Sequence, residues 1–145
     1  MSEDPIIIDA TNSILGRLAS YVAKRALEGY RIIILNAEKA IISGNRKSIV
    51  QEAKKRLGTR TLGSQKKAPI HPRRPDLYVR RVIRGMLPTR EKTKGKVAFS
   101  RITVFINVPE KYANENIIKV PKADASRIQH KYITVGDLSK EIGGS

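Results

Sequence analysis

Three arginines near the middle of the chain have the spacing and chemistry of a phosphate-binding surface: Arg80, Arg81 and Arg84. Planar guanidinium groups bind phosphate oxygens through paired hydrogen bonds, and one helix face would hold several of them together. Apolar residues recur with the same period and predict an opposite, core-facing stripe: Val79, Val82, Ile83, Met86 and Leu87. We expect Asp76 to cap this helix and Pro88 to end it. An arginine face that is merely solvated is the alternative interpretation.

The formal net charge of +16 on 145 residues is concentrated in residues 54–101. That segment holds sixteen Lys and Arg residues against two acidic residues, Asp76 and Glu91, whereas the segments before and after it are almost balanced. Such a self-repelling segment destabilises a folded domain unless a polyanion neutralises it. Because the segment lacks the large aromatic and leucine face of a membrane-surface helix, the pattern favours nucleic acid over a membrane, with a solvated basic face as the alternative.

Residue types needed for catalysis or metal binding are scarce. The sequence has no cysteine, and its two histidines, His71 and His130, are too few for a histidine-rich metal site. Residues 43–48 lack the glycines of a P-loop, although Lys47 at a helix start could contact a single phosphate. His71, surrounded by positive charge, suits phosphate contact or base stacking. We therefore predict no enzyme activity, no cofactor, no metal and no small-molecule substrate.

The elements that must position these residues begin with a buried strand at residues 6–8, an amphipathic helix at 14–27 and a second buried strand at 31–35. Thr11 or Asn12 is expected to cap the helix, and Gly29 to stop it. A strand, helix and strand in this order predict parallel pairing through a right-handed crossover.

Further elements follow with less regular patterns, separated by basic loops. Strands are predicted at residues 40–42 and 102–108, and helices at 46–57 and 137–142. Residues 117–120 and 132–135 have a pattern that fits either a short strand or a loop. Residues 59–75 and 89–96 are expected to form extended basic loops, because they contain almost no apolar periodicity. The length and the 40% hydrophobic content predict one domain over residues 1–145, with a basic insertion at about 54–101.

The start of the chain is acidic, and its apolar runs are far shorter than the ~20 residues that a membrane span requires. These observations predict a soluble intracellular protein without a membrane partner.

Three short motifs together resemble the family of the thirteenth large-subunit ribosomal protein, the L-thirteen family. They are Ile-Leu-Gly-Arg-Leu-Ala-Ser at residues 14–20 after Asp9-Ala10, Leu-Asn-Ala-Glu-Lys at 35–39 with Ser43-Gly44, and Arg-Gly-Met-Leu-Pro at 84–88. The resemblance covers about residues 6–109. It is closest to the archaeal and eukaryotic branch, because residues 108–110, Val-Pro-Glu, stand where the bacterial pattern has a His-Pro-His cluster.

The resemblance implies a three-layer α/β/α fold around a small, mostly parallel central sheet with extended basic loops. It also implies a cytoplasmic, ribosome-bound structural constituent of the large ribosomal subunit, which binds large-subunit ribosomal RNA, contacts neighbouring ribosomal proteins and supports subunit assembly. A general, chromatin-like nucleic-acid-binding protein is the alternative function that the charge pattern leaves open.

The basic residues that we expect to contact RNA lie mostly in the central segment. They are Arg17, Lys47, Lys54, Lys55, Arg56, Arg60, Lys66, Lys67, His71, Arg73, Arg74, Arg80, Arg81, Arg84, Arg90, Lys92, Lys94 and Lys96. Tyr78 could stack on a base or belong to the core. Gly85, unfavourable within a helix, would be explained by the close approach of an RNA backbone or of a neighbouring strand.

Overall fold

In the part of the chain that the structure describes, the fold is built on two small sheets and five α-helices. The structure is a computed structural model that describes residues 4–58, 72–88, 93–127 and 131–143. The strands are β1 (Ile6–Asp9), β2 (Ile32–Leu35), β3 (Ile41–Ser43), β4 (Ile102–Val104), β5 (Ile117–Ile118) and β6 (Tyr132–Thr134). The helices are α1 (Leu15–Leu27), α2 (Arg46–Leu57), α3 (Pro75–Gly85), α4 (Thr93–Ser100) and α5 (Val135–Glu141).

The central sheet has the strand order β4-β2-β1-β5, and all of its strands are parallel. Ile7 of β1 lies opposite Ile33 of β2 and opposite Ile117 of β5. The isoleucine runs predict this arrangement correctly, since β-branched residues without alternation suit a strand covered on both faces. β3 and β6 form a separate antiparallel pair in which Ile41 lies opposite Thr134.

One face of the central sheet carries the main core. Ile8 and Ile34 point to this face and are buried with Leu18 of α1 and Ile83 of α3, and α4 packs against α1. The α/β class with a mostly parallel sheet is thereby confirmed.

On the opposite face, Ile33 and Leu35 are buried with Tyr112, and the half-buried Phe105 packs against them. Tyr112 belongs to the short 3₁₀ turn Glu110–Tyr112, and its ring centroid lies 5.6 Å from that of Phe105. Among the described residues, the second face of the sheet is thus covered by this turn and by Phe105.

The predicted cap of α1 is wrong, whereas the predicted stop is confirmed. Ile14 occupies the N-cap position and makes no side-chain cap, while Asn12 has φ 58° and the Thr11 amide donates instead to the Asp9 carboxylate at 2.9 Å. At the other end, Gly29 has φ 105°, a conformation that glycine adopts readily. Its amide donates to the Ala26 carbonyl, which closes the helix.

Helix α3 begins and ends earlier than predicted. Arg74 is its N-cap and Pro75 its first residue, so Asp76 lies in the first turn and does not cap. The missing N–H of proline costs nothing at this position. Past Gly85 the chain leaves the helix, and Met86 is 44% exposed instead of facing the core.

Two further predictions are corrected by the structure. The predicted basic loop 89–96 ends in helix α4, which begins at Thr93, and the predicted strand 102–108 is ordered as a strand only in β4. Of the predicted loop 59–75, residues 59–71 lie outside the described residues, and Pro75 already belongs to α3.

Candidate nucleic-acid interface

Helix α3 is two-sided, as the sequence predicts. Val79 and Ile83 are fully buried in the main core, whereas Arg81 and Arg84 are exposed three residues apart on the outer side. Residues at this spacing share a helix face. The core therefore fixes the helix, and two arginine side chains extend from its exposed side.

Arg80 does not belong to that exposed face, which corrects the prediction of a single arginine stripe. Its guanidinium carbon lies 4.3 Å from the centroid of the Phe99 ring of α4. The side chain is half-buried, and its Nε atom is buried without a hydrogen-bond partner among the described residues. Arg80 thus forms part of the contact between α3 and α4.

Helix α2 places four of the predicted basic residues on the surface, and all four are exposed: Lys47, Lys54, Lys55 and Arg56. Lys47 lies in the first turn, where its amide donates to the Asn45 side chain at 2.9 Å. The other three lie in the last turn, where cations also stabilise a helix through its dipole. Arg56 forms an ion pair with Glu52 at 2.8 Å, which leaves less of its charge for an external anion.

The residues before α3 have intramolecular roles as well as exposed charges. Arg74 is exposed and pairs with Asp76 at 3.2 Å, while the Arg73 carbonyl accepts a hydrogen bond from the Ser139 hydroxyl. Tyr78 is half-buried against the cores around α1 and α5, and burial raises the pKa of its hydroxyl. Tyr78 is consequently a packing residue and not a free platform for a base.

Helix α4 carries Lys94 and Lys96, both exposed, on a helix where a loop is predicted. Six further predicted contacts fall outside the described residues: Arg60, Lys66, Lys67, His71, Arg90 and Lys92.

The outer side of α1 is basic too, and charge counting along the sequence misses most of it. Arg17, Lys24 and Arg25 line an open cleft together with Lys122, which follows the central segment by many residues. Only Arg17 is among the predicted contacts. The spacing of Arg17 and Lys24 on one helix face is the signal that could have identified the surface.

A second basic concavity lies at the start of α2. It is lined by Asn45, Arg46, Lys47, Lys131 and the exposed ring of Tyr132. Arg46 is held there by an ion pair with Glu141 at 3.0 Å.

Within the described ranges, no group of three His, Cys, Asp or Glu side chains could hold a metal ion. None of the helices in those ranges combines the length and apolar content that crossing a membrane requires.

Comparison with known proteins identifies relatives over almost the whole chain. Residues 3–111 match the family described as ribosomal protein L13. A protein from Methanopyrus kandleri named large ribosomal subunit protein uL13 is 47% identical, over 97% of this chain and 88% of its own length. A protein of the same name from Sulfurisphaera tokodaii is 42% identical, over 99% of this chain and 98% of its own length. Another, from Thermoplasma acidophilum, is 45% identical, over 95% of this chain and 98% of its own length.

These relatives come from archaea, in agreement with the predicted branch. All three are named as proteins of the large ribosomal subunit, and the prediction that the chain is not an enzyme is confirmed. The match over residues 3–111 and the identities above 40% in these three relatives lead to one conclusion: the chain belongs to the ribosomal protein L13 family.

Proposed function

We propose that the chain binds large-subunit ribosomal RNA through the exposed basic residues of its central segment, 54–101, and thereby supports assembly of the large subunit. As a family member it has a structural role in the ribosome. The proposed location is accordingly the ribosome in the cytoplasm, with neighbouring large-subunit proteins as further partners.

The observation that carries the proposal is the geometry of α3. Its buried side holds the helix against the main core through Val79 and Ile83, and its outer side presents Arg81 and Arg84. The rigid helix fixes where each arginine side chain begins, and the planar guanidinium group loses less freedom for each hydrogen bond to a phosphate than a lysine ammonium does. The helix is therefore suited to hold an RNA backbone in a fixed orientation.

Other cations of the segment are exposed on neighbouring elements. Lys54, Lys55, Arg73, Lys94 and Lys96 are exposed on α2, α4 and the approach to α3. Asp76, one of the two acidic residues of the segment, is already paired with Arg74. With Tyr78 packed inside, the described surface offers phosphate-binding groups but few aromatic platforms, which suits recognition of folded RNA by shape and backbone.

The central segment is part of the domain in this proposal and not a separate unit. Helices α3 and α4 both pack on α1, and Val79, Ile83 and Ala98 contribute to the main core. An RNA strand bound to the segment would for this reason be attached directly to the rigid part of the protein.

Filter binding tests the proposal with large-subunit ribosomal RNA and length-matched duplex DNA, each over a series of salt concentrations. We expect preference for the RNA and a steep salt dependence, because phosphate contacts release counterions. The double variant Arg81→Gln/Arg84→Gln should weaken RNA binding and reduce the salt slope by about two.

The matched control is Lys111→Gln/Lys140→Gln, which removes two exposed charges outside the central segment. It should bind nearly as the unmodified protein does. Equal affinity for RNA and DNA would overturn the proposal in favour of a general polyanion-binding protein, and unchanged RNA binding by the arginine variant would remove α3 from the interface.

A further inference from the structure

We propose that ribosomal RNA bound at the central segment continues across the outer side of α1, with its sugar-phosphate backbone as the ligand. This proposal rests on the RNA binding proposed above. The surface in question, called the α1 surface, comprises Gly16, Arg17, Ser20, Lys24, Lys94 and Lys122.

The α1 surface is continuous. An open cleft of about 790 Å³ runs between α1 and residues 120–122 and is lined by Arg17, Ser20 and Lys24. A second depression shares Ser20 and Lys24 and reaches Met86 and Lys94 on the other side of the helix. A strand lying in both depressions would pass from Lys122 to Lys94 across α1, and Lys94 already belongs to the central segment.

Three cations of this surface have no partner among the described residues. The side chains of Arg17, Lys24 and Lys122 form no hydrogen bond or ion pair with any residue that the structure describes. Arg25, in the same cleft, does have partners. It forms an ion pair with Glu28 at 2.9 Å, and its guanidinium carbon lies 5.2 Å from the centroid of the Tyr21 ring. Arg25 and Tyr21 line the cleft, whereas Glu28 lines the second depression, where its charge is paired with Arg25. Three cations of the α1 surface, Arg17, Lys24 and Lys122, are left for an external anion.

Gly16 supplies a second and independent observation. It is exposed in the first turn of α1, and a Cβ atom built on it would meet no described atom within 4 Å. Its φ is not positive, so neither the helix nor the packing of the described residues requires glycine here. A backbone without a side chain is useful where another molecule must come close to the helix.

Gly85 repeats this pattern at the end of α3, next to Met86. It too is exposed, and a Cβ atom on it would have no described neighbour within 4 Å. Of the two explanations that the sequence leaves open for Gly85, the described structure contains no neighbouring strand at that distance. Close approach of an RNA backbone accounts for both glycines.

The first test compares two double variants that each remove two positive charges. Lys24→Gln/Lys122→Gln alters the α1 surface, while Lys111→Gln/Lys140→Gln is the control. We expect the first to lower the affinity for large-subunit ribosomal RNA about tenfold near physiological salt and to reduce the salt slope by one to two. The control should stay within about twofold of the unmodified protein.

The second test adds one methyl group to the cleft. In Gly16→Ala, thermal stability should be unchanged or higher, because the new methyl group meets open space and alanine favours the helix. RNA affinity should nevertheless fall at least about threefold if the backbone lies against this turn. A protein that is more stable and binds RNA as tightly as before would show that nothing approaches Gly16.

The outcomes separate this proposal from the general one. If the Arg81→Gln/Arg84→Gln variant loses RNA binding while both α1 variants bind normally, the α1 surface is overturned and the proposed function stands. If the unmodified protein does not prefer the RNA, the proposed function itself fails. If the α1 variants bind RNA normally but lose binding of poly-glutamate, the surface binds an acidic protein segment and the present proposal is wrong.

Discussion

Arg80 and Phe99 join helix α3 to helix α4 through a cation–π contact, with the guanidinium carbon 4.3 Å from the ring centroid. The contact removes one arginine from the face that the sequence assigns to RNA. It also gives α4 an attachment to α3 that does not depend on apolar burial, since Gly95 and Ala98 are its only buried residues among those described.

Replacing Arg80 by alanine should therefore reduce stability more than RNA affinity. We expect the free energy of unfolding to fall by about 1–2 kcal/mol, from the lost cation–π contact and the lost packing of the side-chain stem. Urea denaturation measures this loss. Arg84→Ala is the matched control, with stability within about 0.5 kcal/mol and weaker RNA binding. A normal unfolding free energy for Arg80→Ala would contradict the assignment.

Gly136 is a position where glycine is required by packing. A Cβ atom there would lie 2.9 Å from the Glu38 carbonyl oxygen and 3.1 Å from the Glu38 Cβ. Gly136→Ala should thus lower stability by about 1–3 kcal/mol, because backbone must shift to make room. Gly16→Ala, which meets open space, should be neutral or stabilise by up to about 1 kcal/mol in the same thermal unfolding experiment. Equal changes in thermal stability for the two variants would contradict this prediction.

Asp9 contributes stability that depends on its charge. Burial alone would raise the pKa of this carboxyl, but Oδ1 accepts hydrogen bonds from Asn36 Nδ2 at 3.0 Å and from the Thr11 amide at 2.9 Å. These bonds, with Lys119 nearby, hold the pKa below its ordinary value of 3.8. The ionised form is thus favoured in the folded state over the unfolded one.

Acid unfolding tests the sign of this effect. The pKa of Asp9 is lower in the folded protein than in the unfolded chain. The stabilisation is therefore complete when the pH lies above the unfolded-state pKa, and it is lost as the pH falls from there to the folded-state pKa. Asp9→Asn should be less stable than the unmodified protein at pH 7, and the difference should shrink at pH 3 and below. A difference that stays constant from pH 7 to pH 2 would show that the charge has no part in it.

Asn36 combines that hydrogen bond with a left-handed backbone, φ 58° and ψ 42°. Two substitutions separate these contributions. Asn36→Gly keeps the conformation and loses the bond to a charged acceptor, at a cost of about 1.5–3 kcal/mol. Asn36→Ala should be less stable by about another 1–2 kcal/mol, because a Cβ disfavours this region without a compensating side-chain bond. Equal unfolding free energies for the two variants would exclude backbone strain.

The sequence predicts the elements whose own residues determine them. The isoleucine runs of β1 and β2 are typical of a strand that is buried on both faces. The apolar spacing of α1 is typical of a helix with one buried face. Helix α4 is missed because it buries Gly95 and Ala98, which leave no apolar stripe to detect. The cap of α1 is missed because Thr11 donates to Asp9, a bond that depends on where the strand ends.

The residues of the candidate site also separate into those that the sequence predicts and those that it misses. The arginines of α3 are found because their charges are contiguous in sequence and their helix is amphipathic. Lys24 and Lys122 are missed because only the packing of residues 120–122 beside α1 brings them to one cleft. Arg80 has the same charge as its neighbours, and only the position of the Phe99 ring shows that it faces inward.

The antiparallel pair of β3 and β6 has a consequence for the order of folding. β1 and β2 are adjacent in the central sheet and close in sequence, so they can pair early during synthesis. β3 follows them directly, yet its partner in the described structure is β6, which comes after every other strand in the chain. Before residues 132–134 have been made, the described contacts give β3 only a single bridge, between Ile41 and Ile14. Its pairing with β6 must wait for that segment, and contacts of this long range form slowly. Closure of this pair is the last pairing step that synthesis permits, and a fragment that ends before β6 would expose the edge of β3 to aggregation.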